Sequence, residues 1–503
     1  MYAWRLADAP IYLSHDEVLF ALHAQAIATT GHDLNGRLLP LYFQITANYW
    51  AQPLLVYATA ASLAVLPLTE WSIRAPSVLV GVAAIVLMYF VAARFERSPV
   101  RGAIAATMLA MTPAHVIHSR MGVDPIYAVL FVVIWLLWVA RFEQQGRLAA
   151  LWAATTTLGV GIYSYIASIV VMPLLLLITC LFAVPSRGVS LRRYAAAAAG
   201  FLVPFSLLAA WLTLHPSAYA AQVARYNLYD ASRFGPLQGV KEILSHVGLS
   251  ARLSVYWDYF NPSFLFLAGG SSLTNSTRQA GVFLVPIALL LPAGIYAALQ
   301  PPRSWANLLL IAGLAAAPVA AALVLGAYAV DRVLVMVPFV ILLATRGVGY
   351  LWKTSPRAGR AIVCVALLAM PLQFARFYGD YFGDYRIRSS TWFERNIRGA
   401  LTNIEERDAH EPRPAVYLPT SIPWIDAYWK FYLLKDHRTY LTERTRYFDP
   451  KTLNVDEVPA RSLVLVELSE AGLAQMNPGL AVLRPIDRIA EPNGVPSFIV
   501  LER

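Results

Sequence analysis

The sequence predicts an α-helical polytopic membrane protein that ends in a small extracytoplasmic α/β domain. Three observations carry that prediction. Hydrophobic residues make up 58% of the chain, charged residues only 14%, and mean hydropathy is +0.53. A soluble chain of 503 residues could not cover its surface with so little charge. Apolar runs of spanning length recur as far as residue 374, after which hydropathy falls. Finally, the net charge of +10 sits mostly in short loops between those runs, a pattern of membrane orientation and not of nucleic-acid binding.

Crossing the hydrocarbon core takes about 20 apolar residues. Runs near that length occur at 71–93, 102–117, 125–140, 148–164, 166–184 and 194–214, and again, after a long polar gap at 215–280, at 281–299, 305–325, 333–352 and 361–374. Arg94, Arg97 and Arg101, then Arg141 and Arg147, then Arg187, Arg192 and Arg193, then Arg303, then Lys353, Arg357 and Arg360 mark the loops expected on the cytoplasmic side. The run 53–68 decides the parity. It is short and opens at Pro53, which suits an interface or re-entrant helix. Left uncounted, it puts residues 1–70, the Arg120 loop, the 215–280 loop, the Asp331 loop and the C-terminal tail outside. Residues 1–10 are too short to span and show no signal-peptide core, so a first transmembrane helix is expected to be missing ahead of them.

Three regions result: 1–70 as an outer loop with an interface helix, 71–375 as the transmembrane domain, and 376–503 as a soluble α/β domain. In the last, helices are expected at 390–404 and 424–434 and strands at 415–418, 463–468 and 497–501. Cys180 and Cys364 both lie in apolar runs, which leaves no disulfide framework and no zinc site.

Chemistry concentrates in residues 12–17, Tyr-Leu-Ser-His-Asp-Glu, where two adjacent carboxylates and a histidine stand beside a chain built for lipid. One ionised carboxylate can take a proton from an acceptor hydroxyl while a neighbour positions it or holds a cation. The same residues also suit a plain helix start, with Ser14 as N-cap and acids in the first turn. Arg120, Arg332 and Arg74 fall at outer ends of spans, where arginine is less expected, and each could meet an anionic group or lipid headgroups. Arg120 precedes Asp124 by one helical turn, a spacing at which the two could pair.

The run His15-Asp16-Glu17, followed by residues 31–43, by Pro53-Leu54-Leu55-Val56-Tyr57 and by Arg74-Ala75-Pro76-Ser77, resembles the first outer loop of bacterial relatives of the protein O-mannosyltransferases. These are C-type glycosyltransferases, a superfamily that includes the lipid A aminoarabinose transferase. Residues 118–124 resemble the family's arginine-to-aspartate segment, residues 161–165 its interrupted helix pair, and residues 260–270 a loop of the bacterial branch. The resemblance runs from about residue 10 to about residue 374, and the tail matches in position only.

It implies inverting transfer of a sugar from a polyprenyl monophosphate carrier to a protein, lipid or glycan acceptor of the envelope, outside a bacterial inner membrane. Asp16 would be the general base, Glu17 its neighbour in the acceptor site, and Arg120, then Arg332 and Arg74, the partners of the donor phosphate, with His15 and Asp124 in support. One departure concerns Ala51-Gln52-Pro53, which lacks the acidic and basic residues that the aminoarabinose and eukaryotic branches carry there. Metal coordination through that loop, and aminoarabinose as the sugar, lose support accordingly, and no metal ligand set is named. Residues 256–259, Tyr-Trp-Asp-Tyr, are similar to an oligosaccharyltransferase motif but lie in the mid-chain loop, so they are taken as chance. A lipid or sugar transporter would place its charges near the midplane on repeated halves, and a non-catalytic assembly subunit would not need Asp16.

Overall fold

The computed structural model describes residues 1–468 and 477–503. Its first regular element is the helix His15–Thr30. Ser14 opens it with a capping box: its hydroxyl accepts the Glu17 N–H, and the Glu17 carboxylate accepts the Ser14 N–H at 3.0 Å. Gly31 closes it at φ 74°, a conformation that a side chain would resist. An antiparallel hairpin follows, Phe43–Thr46 with Tyr49–Ala51, and then the helix Pro53–Leu63. Its 11 residues rise about 16 Å, roughly half the hydrocarbon thickness, so it cannot cross unaided.

Among the described residues, seven helices are long and apolar enough to cross a membrane: Glu70–Phe95, Pro125–Gln145, Ser168–Arg187, Leu191–Leu214, Trp305–Leu323, Val330–Thr354 and Ala358–Phe382. The protein is a multi-pass membrane protein. The run expected as one span over 102–117 is instead two helices, Pro99–Ala110 and Pro113–Ser119, bent by 64°. Pro113 has no N–H for the ladder and excludes helical geometry from the residue before it, which breaks the segment there. The runs expected at 148–164 and 281–299 hold shorter helices, Leu148–Gly161 and Ile287–Leu299, of 14 and 13 residues. The interruption anticipated at 161–165 is present, since helix resumes only at Ser168.

Backbone approach sets the tightest packing in the bundle. A Cβ on Gly294 would lie 1.8 Å from the Leu343 carbonyl oxygen, and one on Gly347 would lie 2.0 Å from that of Leu290. Two glycines facing each other thus let Ile287–Leu299 and Val337–Thr354 touch along their main chains, where lipid offers no hydrophobic driving force and close contact must hold the helices together.

The 215–280 loop folds into three α-helices, Pro216–Arg225, Pro236–Ile243 and His246–Asp258, followed by a π-helical turn at Ser263–Leu267. Arg252 donates to the Leu323 carbonyl at 3.1 Å and Tyr256 to that of Ala315 at 2.9 Å, which pins the third helix to the span Trp305–Leu323.

The tail carries a mixed five-stranded sheet in the order Thr445–Phe448, Val416–Pro419, Leu463–Glu467, Pro496–Glu502 and Arg484–Ala490. The first three strands run parallel and the last two pair antiparallel. Helices Ile397–His410 and Ile425–Lys435 accompany it. The helix expected at 390–404 is therefore split, with a short 3-10 turn at Ser390–Phe393 ahead of the α-helix. Tyr428, Trp429, Phe431 and Tyr432 are all buried, each contributing about 1.5–3 kcal/mol of burial, and the Trp429 indole N–H is satisfied by Thr445 Oγ1 at 2.8 Å.

Candidate active site

The two adjacent acids part company at the helix start. Glu17 turns inward and is 1% exposed. Its Oε1 accepts from Arg74 Nε at 2.7 Å and from the Gly122 N–H at 2.8 Å, and its Oε2 from Arg74 Nη2 at 3.1 Å and the Ser14 N–H at 3.0 Å. A carboxylate so occupied anchors the fold. Its expected place in the acceptor site is not what the structure shows, because the capping box that starts the helix also aims Glu17 into the core.

Arg74 and Arg120 differ from expectation for a related reason. Beyond Glu17, Arg74 donates to the carbonyls of Leu6, Pro10 and Tyr12 at 2.8–3.1 Å. Arg120 donates to those of Tyr2, Arg5 and Ala9, and its guanidinium lies 4.7 Å from the Phe382 ring centroid. Both are fully buried. The two arginines knit residues 1–12 onto the membrane domain, with their guanidinium donors given to backbone carbonyls and, for Arg74, to Glu17. Nor does Arg120 hydrogen-bond Asp124 among the described residues: Arg120 caps the helix Pro113–Ser119, and Asp124 starts the next helix after a non-helical turn.

Asp16 turns the other way, with its side chain 39% exposed. Burial of its surroundings pushes its carboxyl above the usual range. His15 and Arg225 pull it back, while Asp331 and Glu17 add to the upward push. Asp124 lies in the same field and is pushed well above its ordinary value, first by burial and then by the charges of Asp16 and Asp331. Asp331 is held by Tyr165, whose hydroxyl donates to it at 3.0 Å, and by Asn275 Nδ2 at 3.4 Å. Opposite these acids stand two cations. The Arg225 guanidinium lies 3.7 Å from the Tyr49 ring centroid, and Arg332 lies 5.7 Å from that of Tyr226. Among the described residues neither arginine has a carboxylate within salt-bridge distance, in contrast to Arg74, Arg101 and Arg346. Also among the described residues, no three His, Cys, Asp or Glu side chains gather closely enough to hold a metal ion.

Of the residues expected to form the site, Asp16, His15, Asp124 and Arg332 converge, and Glu17, Arg74 and Arg120 support them from behind. Sequence reasoning missed Arg225, Tyr49, Tyr226 and Asp331. Arg225 closes a helix in a loop that holds several basic residues, and nothing local singles it out. The tail also reaches this place. Tyr428 donates to the Leu13 carbonyl at 2.9 Å and Tyr12 to Glu491 at 2.8 Å, so the C-terminal domain grips the segment that leads into Asp16.

Residues 51–212 match the family model described as dolichyl-phosphate-mannose-protein mannosyltransferase. No curated protein matches the chain. Among solved structures, ArnT from Cupriavidus metallidurans bound to undecaprenyl phosphate aligns with a TM-score of 0.56 at 13% identity, covering 99% of this chain and 96% of that one. ArnT from the same organism in the apo state gives 0.53 at 13% identity, with 99% and 95% covered. At such identity the likeness is one of fold, and it includes the tail, which the sequence had matched in position only. The chain is thus similar to the protein mannosyltransferase family model in sequence over residues 51–212 and to ArnT in fold over nearly its whole length.

Proposed function

We propose that this protein is an inverting glycosyltransferase that moves a sugar from a polyprenyl monophosphate carrier to a hydroxyl of an envelope acceptor, on the outer side of a bacterial inner membrane. The observation that carries the reading is the pairing of one accessible carboxylate, Asp16, with two arginines, Arg225 and Arg332, that have no carboxylate partner among the described residues. The mannosyltransferase family description and the undecaprenyl phosphate held by ArnT add support for a lipid monophosphate donor.

In this reading Asp16 accepts the proton of the acceptor hydroxyl as its oxygen attacks the anomeric carbon from the face opposite the phosphate. The bond from that carbon to the phosphate oxygen breaks, and its electron pair leaves with the phosphate, so configuration inverts. Arg225 and Arg332 receive the growing negative charge with planar donors suited to phosphate oxygens. Asp124, held toward its neutral form, spares Asp16 a second negative charge nearby.

A strain lacking the protein, analysed by mass spectrometry of envelope glycans, glycolipids and glycoproteins, identifies the product. Wild type should restore it. Asp16→Asn keeps shape and removes the base, so transfer should fall by roughly 10² to 10⁴ with normal protein levels. Near-wild-type transfer by Asp16→Asn would overturn the reading.

A further inference from the structure

His15 stands immediately before Asp16, and its ring lies between two carboxylates that belong to different parts of the molecule. Nδ1 is 3.6 Å from Glu394 Oε1, and Nε2 is 3.8 Å from Asp16 Oδ1. Both separations exceed a hydrogen bond but leave an ionic attraction, moderated by solvent because the side chains are partly exposed. The imidazole also lies nearly parallel to the Trp424 indole, at 13° and 6.3 Å between centroids. Glu394 and Trp424 both come from the C-terminal domain.

The backbone that presents them is held in a costly conformation. Glu394 and Arg395 take φ 56° and Trp424 takes φ 58°, all left-handed and none a glycine. Such residues are strained and persist where surrounding contacts over-determine them, commonly at functional sites. The contacts are present: Arg395 pairs with Glu467 at 2.9 Å, and Asn396 gives its N–H to Glu491 and its side-chain amide to the Ala490 carbonyl, both at 2.8 Å.

We propose that Glu394 is a positioning residue of the catalytic centre: from the C-terminal domain it holds His15 as an imidazolium against Asp16, and so keeps Asp16 ionised among other acids. This rests on the reading of Asp16 as the base. The charges that act on Asp16 are those of His15, Arg225 and Asp331 and, from the core side, Glu17, with Asp124 feeling its charge from the start of a spanning helix and Tyr49 and Tyr428 from the hairpin and the C-terminal domain. Those that face His15 are Glu394, Asp16 and Arg225. Glu394 is the largest influence that holds the imidazole's proton on, against burial and Arg225, which favour its loss. With the Glu394 charge removed, His15 gives up its proton at lower pH, and Asp16 then needs a higher pH to ionise. The acid limit for transfer therefore moves to higher pH.

His15 can be titrated in the full-length protein in detergent without any substrate, because diethyl pyrocarbonate acylates only neutral imidazole and the side chain is 43% exposed. The rate of His15 modification against pH, read by peptide mass spectrometry, should reach half its maximum about one pH unit lower in Glu394→Gln than in wild type. Glu394→Asp, which keeps the charge on a shorter arm, should fall between them, and it reports even if the glutamine variant fails to fold. Output of the transferase in cells grown at the acid end of their range should fall in Glu394→Gln more than at neutral pH. Coinciding His15 titrations in wild type, Glu394→Gln and Glu394→Asp would overturn the proposal while leaving the Asp16 reading intact if Asp16→Asn is inactive. Full activity of Asp16→Asn would instead remove the reading itself, whatever His15 does.

Discussion

Arg74 and Glu17, 57 positions apart in the chain, share a two-armed ion pair with hydrogen bonds of 2.7 and 3.1 Å, and neither side chain is more than 1% exposed. This pair explains how two neighbouring carboxylates can do different work. Glu17 is consumed by the fold, and its anchoring fixes the first helical turn so that Asp16 must face the opposite way.

Glu17→Gln should therefore damage stability before chemistry. Removing one partner of a buried ion pair leaves the other charge uncompensated, at a cost of about 3–5 kcal/mol. Low yield and a clearly lower unfolding temperature in detergent are expected, whereas Asp16→Asn should unfold like wild type. If Glu17→Gln unfolds at the wild-type temperature yet has lost transfer, Glu17 takes part in the reaction after all.

Arg225 and Arg332 should carry affinity for the lipid carrier, and Arg120 should not. A charge-assisted hydrogen bond to phosphate is worth about 1.5–3 kcal/mol, so Arg225→Ala and Arg332→Ala should each weaken binding of a polyprenyl monophosphate roughly ten- to a hundredfold. Lysine at either position should recover only part, since it keeps charge without the planar fork. Arg120→Ala should instead release residues 1–9 and lower stability. Carrier affinity measured on purified protein separates these outcomes, and unchanged affinity in Arg225→Ala would move the phosphate site elsewhere.

The spans were legible because crossing lipid imposes a length and a composition that no local preference can imitate. The capping box was half legible: Ser14 reads as an N-cap, and Glu17 stands at the position that returns the bond. What that bond implies, the inward aim of Glu17, needed Arg74 and Gly122 to be brought alongside. Arg225 was illegible for the same reason, since its worth depends on Tyr49 and Asp16 arriving from the other end of the chain. In the tail, Leu463–Glu467 is buried along most of its length and reads as a strand, but Arg484–Ala490 is an edge strand with Arg484, Pro485, Asp487 and Arg488 among its seven residues. Exposure on both faces removes the alternation that would have revealed it. The apolar run expected at 102–117 is bent at Pro113, a breaker whose effect a hydropathy run does not register.

Glu405, on the helix Ile397–His410, should make the C-terminal domain less stable as pH rises. Its side chain is 2% exposed, and its Oε1 has no hydrogen-bond partner among the described residues. Burial pushes its carboxyl up to about 7, with the charge of Asp436 adding to the push and Arg438 and Lys435 opposing it. Between an ordinary carboxylate value near 4.5 and about 7, the folded domain holds a proton that the unfolded chain has released. The folded state thus binds more protons in that window, and by linkage its stability declines as pH rises through it and then levels off. Glu405→Gln removes the titration. At pH 5 the variant and wild type should unfold within about a degree of each other; at pH 8 the variant should be more stable by on the order of 2 kcal/mol, a few degrees in unfolding temperature. Thermal unfolding of the full-length protein in detergent at the two pH values checks this, and an advantage that is equal at pH 5 and pH 8 would mean that Glu405 is not the titrating group.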